Sequence, residues 1–243
     1  MSCILHIETS TDECSVAVSQ DGANIFFETA EDSNGDSAGH TKGGGKAQQL
    51  GSLIDQAISF TDNHAIPFDA VAVSSGPGSY TGLRIGVSMA KGICYGRNLK
   101  LLSLPTLQVM CVPVLLCHAD ELPEDALLCP MIDARRMEVY TALYDRSLKT
   151  VREVSPMVID ENSFGDILES RPVYFFGNGS DKCKEIITHR NAHFIDGIRP
   201  LAKWMSPLAE KAHAREEFQD VAYFEPFYLK EFVALKSRNL LGQ

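Results

Sequence analysis

The sequence predicts an α/β protein built from two copies of one unit: three strands, a helix, a strand and a helix. Three observations lead there. Strand-like alternation opens each half. A strand runs into a glycine-rich turn once in each half, GPGS at 76–79 and GNGS at 177–180. An acid closes the first strand of each half, Glu8 in one and Asp133 in the other. The length of 243 residues suits one large domain or two small ones.

In the first half, Ile4 to Glu8 is the opening strand. Cys14 to Ser19, with Val16 and Val18 on one face, and Ala23 to Phe27 form a hairpin across Asp21-Gly22, a strong tight-turn signal. Residues 30–46 are polar and glycine-rich and read as a loop. Leu50, Leu53, Ile54, Ala57 and Ile58 recur at helical spacing and predict an amphipathic helix. A strand at 70–75, the turn, a helix at 82–96 and a short strand at Leu101 to Ser103 complete the unit. The second half supplies strands at Leu127 to Ile132, Val139 to Tyr144 and Thr150 to Val158. A short helix at Ser163 to Ser170, a strand at Val173 to Phe176, the GNGS turn and a further helix follow. The division falls between residues 1–104 and 105–243.

Composition bounds the function. With 44% hydrophobic and 22% charged residues the chain is an ordinary globular protein, and its net charge of −10 disfavours unaided nucleic-acid binding. Seven cysteines with no C-x-x-C pair argue against a disulfide framework or a zinc site and favour a reducing compartment. The start, MSCILHIETS, lacks signal-peptide features. The apolar run at 109–117 is shorter than the ~20 residues of a membrane span. A cytoplasmic location is expected.

SSGPGSYTGLRIG, at 74–86, has the order of a phosphate cradle but neither nucleotide-loop pattern: no lysine follows Thr81, and Gly82 is one residue late for a dinucleotide turn. A structural turn is expected instead. In it Gly76 and Gly78 allow unusual backbone angles, Ser79 or Thr81 caps the helix, and Gly82 permits close packing. The helix it launches is apolar on two faces: Leu83, Val87, Ala90 and Cys94, and Ile85, Met89 and Ile93. Such a helix needs covering on two sides, by the sheet and by either a neighbouring helix or a partner subunit. His189 and His193 stand at i, i+4, but Asn191 and the apolar residues after it place a helix end between them. Surface histidines are expected there, and no metal site. His40 lies in the loop, and there is no H-E-x-x-H or G-x-S-x-G motif. Glu8 and Asp133 are the acids that could position magnesium or water near a phosphate; otherwise they cap their hairpins with Thr9, Ser10 and Thr11.

Four segments together resemble one family. ILHIETSTDECSVAV (4–18), SGPGSYTGLRIGVSMAKGICYG (75–96), MIDARRMEVYTALY (131–144) and FEPFYLKEFVA (224–234) are similar to the TsaB (YeaZ) family, the glycoprotease-like proteins of tRNA threonylcarbamoyladenosine synthesis. The resemblance implies the duplicated actin-like ATPase (ASKHA) fold and a non-catalytic scaffold role. It implies pairing with TsaD and TsaE homologues, self-pairing when alone, and only indirect contact with tRNA. The histidine pair of the catalytic relative has no counterpart in LLSLPTLQVM (101–110). The partner interface is expected on the two N-terminal helices, at Leu50, Leu53, Ile54, Ile58, Leu83, Val87 and Ala90. A vestigial nucleotide role falls to Glu8, Thr9, Ser10 and Asp133, with no cofactor bound alone and ATP or ADP only in the complex. Glu8 stands where most members have Asp, and Lys46 where many have His, so contacts of those residues do not carry over. A stand-alone ATP-dependent enzyme or peptidase of the superfamily is the alternative.

Overall fold

The structure, a computed structural model, describes residues 2–30 and 45–229. Most of the expected loop, with His40, and the end of the fourth motif lie outside the described residues.

The first half holds β1 (Cys3–Glu8), β2 (Cys14–Gln20), β3 (Ala23–Ala30), α1 (Lys46–Asn63), β4 (Ala70–Gly76), α2 (Tyr80–Arg97) and β5 (Lys100–Pro105). Then come α3 (Thr106–Cys117), β6 (Leu127–Asp133), β7 (Glu138–Tyr144), β8 (Thr150–Val158), α4 (Gly165–Leu168), β9 (Val173–Phe176), β10 (Ala192–Ile195), α5 (Ser206–Ala214) and β11 (Phe218–Gln219). The main strands are ordered β5-β4-β1-β2-β3 in the first sheet and β10-β9-β6-β7-β8 in the second. In each, the first three strands form an antiparallel meander and the next two run parallel to the first. This repeated topology is the duplicated α/β unit of the actin-like fold.

The β1 alternation explains the layering. Leu5 and Ile7 face a core shared with Leu50, Leu53 and Ile54 of α1 and Val87, Ala90 and Cys94 of α2. Ile4, on the other face, packs with Ala17, Ala70, Leu102 and the returning C-terminal residues Ala202, Met205 and Ala209. Residues 202–219 therefore belong to the first sheet, and β11 pairs with β5. The boundary at 104/105 falls one residue before the end of β5 and leaves this last segment with the second half. A sequence boundary cannot show that return, because the contacts are long-range.

Two expectations change. Leu50, Leu53, Ile54, Leu83, Val87 and Ala90 are buried within the chain, at 7% exposure or less, because their helix faces look at the sheet. They cannot form an outward interface; Ile58 is half-buried at its rim. The helix expected after GNGS is only a 3-10 turn, Asp181–Cys183. The β-branched run Ile186-Ile187-Thr188 disfavours its extension, and the Ile186 and Ile187 amides turn back onto the Cys183 carbonyl. His193 consequently lies on β10, stacked on Tyr174 at 4.8 Å, and shares no helix with His189. The apolar run at 109–117 is part of α3, whose Val109 joins the first sheet's core and whose Leu107, Met110 and Val114 join the second's. Among the described residues, no helix is long and apolar enough to cross a membrane.

The returning segment is fastened by the Ala202 N–H, which donates to Ser15 Oγ at 2.9 Å in a buried site. Ser15→Ala leaves that donor unsatisfied and should cost about 1–3 kcal/mol. Urea denaturation with an unchanged slope is the check; a loss below a few tenths would show that the segment does not depend on this bond.

Candidate functional site at the paired glycine turns

The first glycine turn is a seat for the backbone that links β1 to β2. Gly76 has a φ of 110°. A methyl group at Gly78 would lie 2.4 Å from the Ser10 carbonyl oxygen, and one at Gly82 would lie 2.1 Å from that of Thr9. At Gly86 it would meet Thr9 Oγ1 at 2.3 Å. The Ser79 N–H donates to the Ser10 carbonyl at 2.7 Å, and the Gly82 N–H to the Ser79 side chain at 3.2 Å, which caps α2. Thr81 is exposed. Two amides that a phosphate could use are thus engaged, and the hollow is filled by Thr9 and Ser10.

The second turn has the same construction. Gly177 has a φ of 103°, and a methyl group there would lie 2.4 Å from the Met131 carbonyl oxygen. The Asp133 N–H donates to Asn178 Oδ1 at 3.1 Å. The Asp133 carboxylate is half-exposed and accepts from the Lys182 ammonium.

The two candidate acids differ in environment. Glu8 is fully buried, and its Oε1 accepts the Ser10 N–H at 2.6 Å, while Oε2 has no hydrogen-bond partner. Burial pushes its pKa up to about 6, against the opposing effects of Ser10, the nearby Ser74 hydroxyl and the Lys46 charge. The Lys46 ammonium donates to the Thr11 carbonyl. Each acid stays at its own turn, Glu8 with Thr9, Ser10 and the 76–82 segment, Asp133 in the other half. Between the halves lies a cleft of about 300 Å³, lined by Thr11, Asp12 and Glu13 on one side and Asn178, Ile198, Arg199 and Pro200 on the other. Arg199 reaches across it to Glu13 at 3.3 Å. Among the described residues, no group of three His, Cys, Asp or Glu side chains is placed to hold a metal.

Sequence reasoning missed Lys182, Arg199 and His6, and gave the tail motif no place in the fold. Asn178 was visible inside GNGS. What no local pattern shows is where these residues pack: the Phe227 N–H, within the fourth motif, donates to the Ser75 carbonyl at 2.7 Å from 152 positions along the chain, counting from 75 to 227.

Residues 45–234 match the family model described as "TsaD: tRNA N6-adenosine threonylcarbamoyltransferase". The Escherichia coli protein named tRNA threonylcarbamoyladenosine biosynthesis protein TsaB is 28% identical over 243 aligned residues, covering 96% of each chain. The chain belongs to this family as a TsaB (YeaZ) member. The solved structure of YeaZ from Pseudomonas aeruginosa superposes with a TM-score of 0.74 at 21% identity, covering 94% of this chain and all of that one, and shows the same fold. The tRNA N6-adenosine threonylcarbamoyltransferase of Geobacter sp. is 29% identical over 107 residues, 40% of this chain and 30% of its own length.

In this TsaB-family chain the buried polar groups of β1 set opposed pH responses. His6 is fully buried, its Nε2 bonded to Ser19 Oγ at 2.7 Å, and burial lowers its pKa to about 3. Between pH 6.5 and about 3 the unfolded chain holds a proton there that the folded chain does not, so stability falls as pH drops. Between about pH 6 and 4.5 the folded chain takes up a proton at Glu8 that the unfolded chain does not, so acid stabilises. Glu8→Gln should therefore raise stability by about 2 kcal/mol at neutral pH and steepen the acid loss below pH ~6. Urea denaturation on both sides of that range tests this; a variant less stable at neutral pH would reverse the assignment.

Proposed function

We propose that the chain is a non-catalytic subunit of cytoplasmic tRNA threonylcarbamoyladenosine synthesis. It pairs with a TsaD-type partner and, with a TsaE-type protein, supports transfer of threonylcarbamoyl to the tRNA adenosine beside the anticodon. The observation that carries the non-catalytic part is the filled glycine turn: Thr9 and Ser10 occupy the hollow where a phosphate would sit. The end-to-end match to a protein named for this biosynthesis, against a partial match to a transferase, supports the pathway. The residues present do not fit a nucleotide at this turn, so the chain alone binds neither ATP nor ADP; a nucleotide enters only with the assembled complex. The partner supplies most contacts to tRNA.

The pairing face is the outer one of α2. Ile85, Met89 and Ile93 are half-buried there, with Ile58 of α1 at the same core's edge. Among the described residues, a methyl group at Gly92 or Gly96 would meet nothing within 4 Å, so the backbone of α2 lies open there to a close neighbour. Without the partner, two copies pair through this face.

Gly92→Arg is the informative substitution, because it fills space outside the chain without entering its core. Glycine is a poor helix former, so the variant should melt no lower than the parent. Pull-down with the TsaD-type partner, and self-pairing by sedimentation, should both be lost. Unaltered pairing would remove α2 from the interface. Isothermal titration with magnesium ATP should show no micromolar binding to the chain alone; such binding, abolished by Glu8→Ala, would instead support an independent ATP-dependent enzyme.

A further inference from the structure

The β6–β7 turn, residues 133–138, holds its acid in check and leaves two cations free. The Lys182 ammonium donates to three oxygens at once: the Asp133 carboxylate, the Arg136 carbonyl at 2.6 Å and the Glu138 carbonyl at 2.7 Å. The turn is closed further by Ala134 N–H to the Glu138 carbonyl at 3.0 Å and Glu138 N–H to the Arg135 carbonyl at 3.1 Å. Within it, Arg135 and Arg136 both take left-handed backbone angles, with φ of 71° and 50°. This is a conformation that arginine rarely adopts, and here it recurs at consecutive residues.

Both arginines are exposed. Neither guanidinium has a hydrogen-bond or ion-pair partner among the described residues. Several other arginines are engaged, Arg97 on Asp62, Arg152 on Asp166, and Arg146 and Arg171 on backbone carbonyls, whereas among the described residues Arg190 stands alone on the surface and has no neighbouring arginine in sequence. With 32 acidic residues against 22 basic ones, acids are abundant on this chain. Two adjacent unpaired guanidiniums on a pinned turn therefore contribute nothing to folding through ion pairs. At the start of the same turn stands Asn178, whose Oδ1 accepts the Asp133 N–H and whose amino group has no partner among the described residues. Asn178 also lines the cleft between the halves.

We propose that this turn is a phosphate contact. Arg135 and Arg136, with the Asn178 amino group, engage the backbone of an RNA, and Lys182 is the positioning residue that holds the turn in shape. The proposal rests on the functional reading above, which places a tRNA beside the complex. A guanidinium fork fits carboxylate and phosphate alike. Consecutive forks favour a polymer with a charge on every unit, which an RNA backbone has and an acidic peptide has only in runs. The contact is limited to a few phosphates, because the acidic remainder of the chain repels a longer track.

The test is tRNA binding by the complex with the TsaD-type partner, followed as a function of salt. Arg135→Asn with Arg136→Asn removes both charges while keeping residues that tolerate left-handed angles. The slope of log affinity against log salt should become shallower by about two, so the deficit should widen about tenfold from roughly 200 to 50 mM salt. Melting temperature and partner pairing should stay unchanged. Lys182→Met should flatten the slope in the same way. Arg135→Lys with Arg136→Lys should restore the slope, because it keeps the charges.

An unchanged slope in the double asparagine variant, with a wild-type complex that forms and modifies tRNA, would overturn the proposal and leave the functional reading standing. Loss of partner pairing with tRNA binding intact would also overturn it, since the turn would then contact an acidic protein surface. If the wild-type chain pairs with no such partner, the functional reading fails. Binding of the chain alone to single-stranded RNA, with and without the two arginines, then decides the phosphate contact by itself.

Discussion

The approach of the Thr9–Ser10 backbone to the glycines of the first turn is the contact on which the rest of the N-terminal half depends. Carbonyl oxygens of that linker stand where any side chain at Gly78 or Gly82 would have to go. The closeness lets the Ser79 N–H reach the Ser10 carbonyl and fixes the start of α2 against the end of β1. Once that start is fixed, helical periodicity carries Val87, Ala90 and Cys94 onto the sheet, leaves Ile85 and Met89 half-buried at the edge of that core and exposes Gly92. The open face proposed for pairing is therefore a consequence of how the turn is filled. The same packing that fills the turn sets which surface of α2 is left open.

The two halves share one topology but differ in how the glycine turn continues. The second glycine turn is packed as tightly against β6 as the first is against the β1–β2 linker. Beyond it the chain forms only a 3-10 turn, and this brings Lys182 back toward Asp133 instead of placing it on a long helix. In the first half Lys46, from the start of α1, reaches the Thr11 carbonyl near Glu8. Each strand-end acid thus has a lysine of the same chain in its neighbourhood, but by different routes. At Asp133 the ammonium is in direct contact and shapes the adjoining turn. At Glu8 the carboxyl is buried, and the lack of solvent dominates its proton affinity.

The face of the first sheet beneath the C-terminal return carries more polar groups than its apolar neighbours would lead one to expect. His6, Ser15 and Ser19 are all fully buried there, and Glu8 ends the same strand. Hydrogen bonds to Ser15 and Ser19 satisfy part of this set, while His6 Nδ1 and Glu8 Oε2 find no partner. Buried groups of this kind respond to protons in opposite senses, histidine resisting its charge and glutamate regaining its neutrality. The first half thus carries two buried groups, His6 and Glu8, whose effects on stability oppose each other as pH falls.

What the sequence determined by itself is everything governed by local period and turn chemistry. Alternation placed β1, β2 and β3, helical spacing placed α1, and the glycine turns marked where β4 and β9 end. The four quoted motifs pointed to the family, because they combine residue types no period would require. The tertiary structure alone decided what those elements face. Leu83 and Val87 are apolar at the right spacing for either a core or an interface, and only the position of the sheet shows that they are core. The return of residues 202–219 to the first sheet, the grip of Lys182 on a turn 44 to 49 positions earlier, and the unpaired state of Arg135 and Arg136 are likewise invisible in one dimension. Each depends on contacts between distant residues, and the physical reason is common to all three: burial and charge pairing are properties of neighbours in space, whereas period and turn preference are properties of neighbours in sequence.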